Sequence, residues 1–321
     1  MTYADNWTDF PDYIIGITHD IWEGRGIESL NRYYAKDIAV RSPMGVAMGN
    51  EATKAATMAT IHEFPDRQLF AEDVIWSATE HGYLSSHRII TTATHSQDGQ
   101  FGQATGKKFA VRVIADCAAD GQTINDEWLV RDYGGVVRQL GMEPRQFAQR
   151  LIDAEGGPEN AAPVFTPSMD VTGPYLGRGN DNQWGKRYAD DLMRVMNGEF
   201  SHAKTAFDRA AIGHYAGAQE AIGRDAIAQF WIGLKSSFPL AEFRIHHQIG
   251  MDADMLCPRA SLRWSLDGTH DGWGTFGKPS GAEVHVMGLS HAEYGPWGLR
   301  RETALYDEIA VWKQILMHVR G

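Results

Sequence analysis

Residues 123–139, TINDEWLVRDYGGVVRQ, and residues 298–314, GLRRETALYDEIAVWKQ, carry the same punctuation at a spacing of 175. Glu127, Asp132, Val136 and Gln139 recur at Glu302, Asp307, Val311 and Gln314. Upstream the match continues without a gap. Arg88, Thr94-His95, Gly99, Phe101-Gly102, Gly106 and Val111 answer Arg263, Thr269-His270, Gly274, Phe276-Gly277, Gly281 and Val286. A long run of coincidences at one offset means one module written twice. Still further upstream the offset is 174: Gly24, Gly49, Ala52 and Phe64-Pro65 answer Gly198, Gly223, Ala226 and Phe238-Pro239. One residue inserted in a loop accounts for the slip. The period is too long for a solenoid, and each copy is large enough to bury its own core. The chain divides into a first module over 1–142, a helix and Gly/Pro-rich linker over 143–183, and a second module over 184–321.

Each module opens with helical signals. Ile17 to Tyr34 is amphipathic and interrupted near Gly24 to Gly26, and Asn50 is placed to cap a helix from Glu51 to about His62. Strand-like runs follow over Leu69–Ser77, Tyr83–Thr94, Lys108–Cys117 and Thr123–Tyr133. The second copy repeats the plan, with helices over Asp190–Asn197, Ala203–Arg209 and Asp225–Lys235. Its strands are Glu242–Ile249, Arg259–Leu266, Glu283–Ser290 and Leu299–Val311. Helices first and strands after predict an α+β fold, a curved antiparallel sheet over helices in each module. The linker over Gly156–Asn182 is long enough to cross a domain surface, pinned by Phe165 and Tyr175, or to act as a tether.

Composition bounds the function. The chain has 321 residues, 43% hydrophobic and 22% charged, which is ordinary for a globular protein. A net charge of −11 argues against nucleic-acid partners, which need Lys and Arg to neutralise phosphates. There is no apolar run of about 20 residues to cross a membrane, and the start, MTYADNWTDF, does not read as a signal peptide. Cys117 and Cys257 sit at non-equivalent positions outside any metal or redox motif, which suits a cytoplasmic protein.

The helical start with Ile21-Trp22 and Tyr33-Tyr34, the Arg41-Ser42-Pro43-Met44-Gly45 segment and the Phe64-Pro65-Asp66 stop form a pattern. Thr94-His95, Gly102, Gly106, Glu127-Trp128, Asp132 and Gln139-Leu140-Gly141 complete it. This resembles the SnoaL-like polyketide cyclases, within the nuclear transport factor 2-like fold. The second copy is similar, although Thr303 stands where the first has Trp128. The resemblance implies cone-shaped α+β barrels with an apolar pocket, and cyclase, dehydratase or isomerase chemistry. It implies an aspartate acid/base with a histidine on the preceding strand, and no metal or cofactor.

Period-two geometry puts Trp128, Val130 and Asp132 on one face. If that face is the cone interior, Asp132 and Asp307 are buried acid/base groups; otherwise they cap turns. His95 and His270 follow strands before glycine-rich turns, where they either donate to a carbonyl or brace the turn. Asp116 and His291 share one repeat position, so His291 with Asp307 is the preferred dyad. The expected catalytic residues are His291, Asp307, His270 and Asp132. The expected ligand-binding residues are His95, Asp116, Trp128, Arg263 and Trp273. The expected partner is a small apolar carbonyl compound, turned over chiefly in the second module. The rival is a ligand-binding protein with two pockets. The two modules are expected to pair as a pseudo-dimer within the chain, with a homodimer as a further option.

Overall fold

A computed structural model describes residues 7–175 and 179–320. Residues 1–6, in the segment read above for a leader, and 176–178 of the linker lie outside the described residues. In the first module α1 (Phe10–Thr18) and α2 (Leu30–Tyr33) precede β1 (Tyr34–Ser42) and β2 (Gly45–Met48). Then come α3 (Asn50–Glu63), β3 (Gln68–Thr79), β4 (Gly82–Thr94), β5 (Lys108–Asp120), β6 (Thr123–Arg131), α4 (Tyr133–Gln139) and α5 (Pro144–Ala154). The second module runs α6 (Gln183–Met196), α7 (Ala203–Ala206), β7 (Phe207–Tyr215), β8 (Gln219–Ile222) and α8 (Arg224–Ser237). It continues with β9 (Glu242–Met251), β10 (Arg259–Thr269), β11 (Glu283–Gly295), β12 (Gly298–Tyr306) and α9 (Glu308–Arg320).

The strand orders are β2-β1-β6-β5-β4-β3 and β8-β7-β12-β11-β10-β9, the same topology twice. The registers agree too: Asp116 faces Trp128 as His291 faces Thr303. The α+β class stands as expected. Both sheets are open, not closed into barrels, and mixed, because β1 runs parallel to β6 and β7 to β12. The strand readings ran on to Tyr133 and Val311, but β6 stops at Arg131 and β12 at Tyr306. Asp132 accepts from the Gly135 N–H and Asp307 from the Ile309 N–H, and these bonds start helices. Asn50 is not a cap. Gly49 holds that position at φ 85°, matched by Gly223 at φ 84°, a region that favours glycine.

Alternation along the strands divides each sheet into two faces. On β5 and β6 one face carries Val113, Ala115, Cys117, Glu127, Leu129 and Arg131 and looks toward α1 and α3. The other carries Ile114, Ala118, Trp128 and Val130, which share one buried cluster with Ile249, Met287, Leu289 and Leu305 of the second module. The linker runs into this seam, with Phe165 and Tyr175 both buried. Tyr175 N–H donates to Asp126 at 2.9 Å, and Arg41 pairs with both Asp126 and Asp170. Beyond the sheets, Ile309 and Leu316 of α9 pack with Val137 and Leu140 of the first module and with Phe147 and Ile152 of the linker helix α5. Lys313 pairs with Glu155 at 2.7 Å. Among the described residues no helix is long and apolar enough to cross a membrane.

Excising residues 1–142 would expose Ile75, Leu84, Ile114, Trp128 and Val130 together. Burial of each large apolar side chain is worth about 1.5–3 kcal/mol. The excised module is therefore expected to self-associate or precipitate, as sedimentation velocity would show. A stable monomer would mean that this sheet face tolerates water.

Candidate active site in the first module

Helices α1 and α3 stand off the first sheet and leave a cavity of about 520 Å³. Its walls are mostly apolar, including Ile14, Ile17, Leu69, Ile89 and Leu129. Polar side chains enter it from several elements, among them Tyr34 from β1, Glu63 from α3, Arg67 before β3, His87 from β4, Glu127 and Arg131 from β6, and Tyr133 from α4. Burial pushes the Glu127 carboxyl up, opposed by the charge of Arg131 and by the Tyr34 phenol beside it. His87 is buried and desolvation pulls it down to about 4, so its ring is neutral near pH 7. Its Nδ1 has no protein partner. Arg67 donates from Nε to Thr91 Oγ1 at 3.0 Å. Burial, then the nearby Arg131, draws its pKa down to about 10. A carboxyl with a raised pKa, a phenol, a neutral imidazole and two cations in one apolar chamber suit proton transfer at carbon beside a stabilised oxyanion.

The second module keeps the glutamate and fills the chamber. Counting from the matched elements, Ser42, Ala56, Thr57, Leu69 and Ile89 become Tyr215, Phe230, Trp231, Phe243 and Trp264. These aromatics belong to or pack against the second module's core. Val113 becomes Gly288, where an added Cβ would stand 2.1 Å from Trp264 Cζ2. Glu302 is fully buried and accepts from Tyr188 Oη at 2.9 Å, Tyr215 Oη at 2.6 Å and Trp231 Nε1 at 2.9 Å. It is a structural hub where Glu127 is an open acid.

Residues 13–140 match the family model described as SnoaL-like polyketide cyclase. The first module is similar to this family over that stretch. No curated protein matches the chain. Among solved structures, IdmH from Streptomyces antibioticus is 22% identical, with a TM-score of 0.37. The alignment covers 41% of this chain and 98% of that one. TsrD from Streptomyces laurentii is 19% identical over 40% of this chain and 92% of its own, at a TM-score of 0.35. A Catenulispora acidiphila protein with a ketosteroid isomerase-like fold is 12% identical over 42% and 95%, also at 0.35.

The residues expected to act lie elsewhere. Asp132 is on the face opposite the cavity, because the interior parity is that of Glu127, Leu129 and Arg131. Its oxygens accept from the N–H groups of Gly135, Gly217 and Ala218, at 2.9, 2.7 and 2.7 Å. Asp307 caps α9. Among the described residues no hydrogen bond joins it to His291. His291 faces Thr303, four residues before Asp307, a strand distance of roughly 13 Å. Instead His291 reaches the first module. Arg88 donates to its Nδ1 at 3.2 Å, so the neutral ring carries its proton on Nε2, which donates to Ser86 Oγ at 2.8 Å. Burial, then Arg88, holds His291 well below its ordinary pKa.

His95 and His270 brace the glycine turns, with Nδ1 at 3.2 Å from Thr105 Oγ1 and 3.0 Å from Ser280 Oγ. Asp116 is buried in the seam and raised to about 6 by desolvation. Trp128 is clasped there between the guanidinium groups of Arg263 and Arg41, at 3.8 and 4.7 Å from its ring centre. Trp128 and Arg263 line a smaller cavity of about 300 Å³ between the modules. Trp273 is exposed. Arg67, His87, Glu127 and Arg131 were missed as site residues. The Glu127–Leu129–Arg131 alternation was the available signal, and the choice of face decided against it.

Two measurements test these roles. Glu302→Leu leaves three buried donors without an acceptor and should cost about 3 kcal/mol in urea unfolding, while Glu302→Gln, which keeps an acceptor, should cost less. Burial lifts Asp132 to about 6 and Asp307 to about 7. Folded values above the ordinary 3.8 mean that the native state favours the protonated carboxyls. Their stabilisation is complete below about pH 4 and is lost as pH rises through 6 to 7. Asn at 307 stays neutral. Between pH 5 and pH 8 the Tm of the unmodified chain should therefore fall further than that of Asp307→Asn. An equal fall would show that Asp307 is not the buried, destabilised charge.

Proposed function

We propose that the first module is an acid–base catalyst of the cyclase or isomerase type, acting on a small carbonyl compound without metal or cofactor. The observation that carries this reading is the contrast between equivalent glutamates. Glu127 faces an open apolar chamber, whereas Glu302 is bonded into a filled one. Glu127 takes a proton from the carbon next to the carbonyl. The electron pair moves onto the carbonyl oxygen, where a His87 N–H donates to the developing enolate, while the Tyr34 phenol hydrogen-bonds the Glu127 carboxyl. Return of the proton, or attack of the enolate carbon on a second carbonyl, completes an isomerisation or a ring closure. The second module, over 184–321, acts as a scaffold that covers the first sheet in an intramolecular pseudo-dimer. One buried and one exposed free cysteine fit a reducing cytoplasm.

A binding-only reading has one observation in its favour. The His–Asp pair implied by the resemblance is not assembled, since the interior positions near Glu127 are Ala115, Cys117 and Leu129. Proton exchange separates the two readings. Solvent deuterium uptake at the α-carbons of a panel of cyclic ketones, followed by proton NMR, should be accelerated by the protein. Glu127→Gln should slow it by about 10²–10⁴-fold. Thr57→Trp, which copies the second module's plug, should abolish it, while His291→Ala and Asp307→Asn retain it. Cavity binding without exchange would favour the carrier, and loss only in the last two variants would return the site to the second module.

A further inference from the structure

The cavity holds two guanidinium groups that make no ion pair among the described residues, although the charge of Arg131 is felt at the Glu127 carboxyl. Arg67 and Arg131 both line it, and the charge of Arg131 is felt at Arg67. Among the described residues neither has a carboxylate within ion-pair distance. This is unlike Arg41, Arg88, Arg112, Arg138 and Arg259, each of which has one. Glu63, a carboxylate that also lines the cavity, is committed elsewhere. It accepts from the N–H groups of Gln100 and Phe101 at 3.0 and 2.8 Å and lies 3.2 Å from His95 Nε2. Two like charges in an apolar chamber repel each other and are poorly solvated, a cost that an incoming anion removes.

The duplication supplies an independent observation. Both copies keep the glutamate, the glycine turns and the bracing histidines. The arginines go with the open chamber: Arg67 is answered by Ala241 and Arg131 by Tyr306, which is fully buried in the filled copy. If the arginines served the fold, the second copy would be expected to retain them.

We infer that the first-module cavity takes a carboxylate-bearing substrate, its anionic end held by Arg67 and Arg131 and its reactive carbon presented to Glu127. This rests on the cavity being the working site. Guanidinium forks match a carboxylate in geometry as well as charge. Arg131 lies four residues from Glu127 on one strand face, a backbone distance of roughly 13 Å, and its side chain comes near enough for its charge to act on the Glu127 carboxyl. The apolar walls accept a hydrocarbon or aromatic body.

Calorimetric titration with 2-naphthoate and with its neutral counterpart 2-naphthamide tests the inference on the unmodified protein. The acid should bind at least about tenfold more tightly than the amide, the scale of one charge-assisted contact. Arg67→Gln and Arg131→Gln should each remove most of that preference while leaving amide binding in place, and Arg131→Lys should keep part of it. Thr57→Trp should abolish binding of both compounds. No preference for the acid, including the case in which neither compound binds, overturns the inference and leaves the cavity reading to the exchange experiment. Preference for the acid that survives Thr57→Trp places the anion outside the cavity and overturns both.

Discussion

Each of the two sheets has to bury both of its faces, and the strand period of two assigns every residue to one or the other. This constraint organises the molecule. On β6, Glu127, Leu129 and Arg131 look into the module, while Trp128 and Val130 look across the seam to the second sheet. A face carrying Ile114, Trp128 and Val130 cannot be left in water, so the module needs a partner, and the duplicated copy is that partner. The Trp128 ring between Arg263 and Arg41 marks the seam. One arginine comes from each module, and the linker's Asp170 is held by Arg41.

The two interiors on either side of the seam differ. The second module spends its interior on aromatic packing and closes it with the Glu302 hydrogen bonds to Tyr188, Tyr215 and Trp231. The other face of that sheet packs against the first module. The first module has small or aliphatic side chains at the corresponding positions and keeps a chamber of about 520 Å³. Open apolar volume forfeits packing contacts. Its retention beside a carboxyl, an imidazole and two guanidinium groups is what the proposed function explains.

Much of this was legible in the chain. The offset of 175 predicted two equivalent modules, and the registers of β4 to β6 repeat at that offset in β10 to β12. Glycine turns, the Phe64 and Phe238 stops and the main β-runs lie close to where composition placed them. Strands β1, β2, β7 and β8 were not, because β1 and β7 pair in parallel with β6 and β12 far along the chain and the four-residue β2 and β8 pair only with them. The helices α4 and α9 were misread because β-branched and aromatic residues continue past Asp132 and Asp307, and only the capping bonds show where the strand ends.

The sequence by itself determined the duplication, the α+β class, the alternation on β6 and the identity of its polar residues. It also carried the bulky substitutions that distinguish the second copy, since Thr57 against Trp231 is visible by counting. What only the tertiary structure decided was which face of each sheet is the interior. Alternation is symmetric: Trp128–Val130–Asp132 and Glu127–Leu129–Arg131 read equally well as the inner row, and both are buried. The packing of one sheet against the other breaks that symmetry. It sends Asp132 and His291 to the seam and brings Arg67, His87 and Glu127 into one chamber, although they stand on different elements up to sixty residues apart.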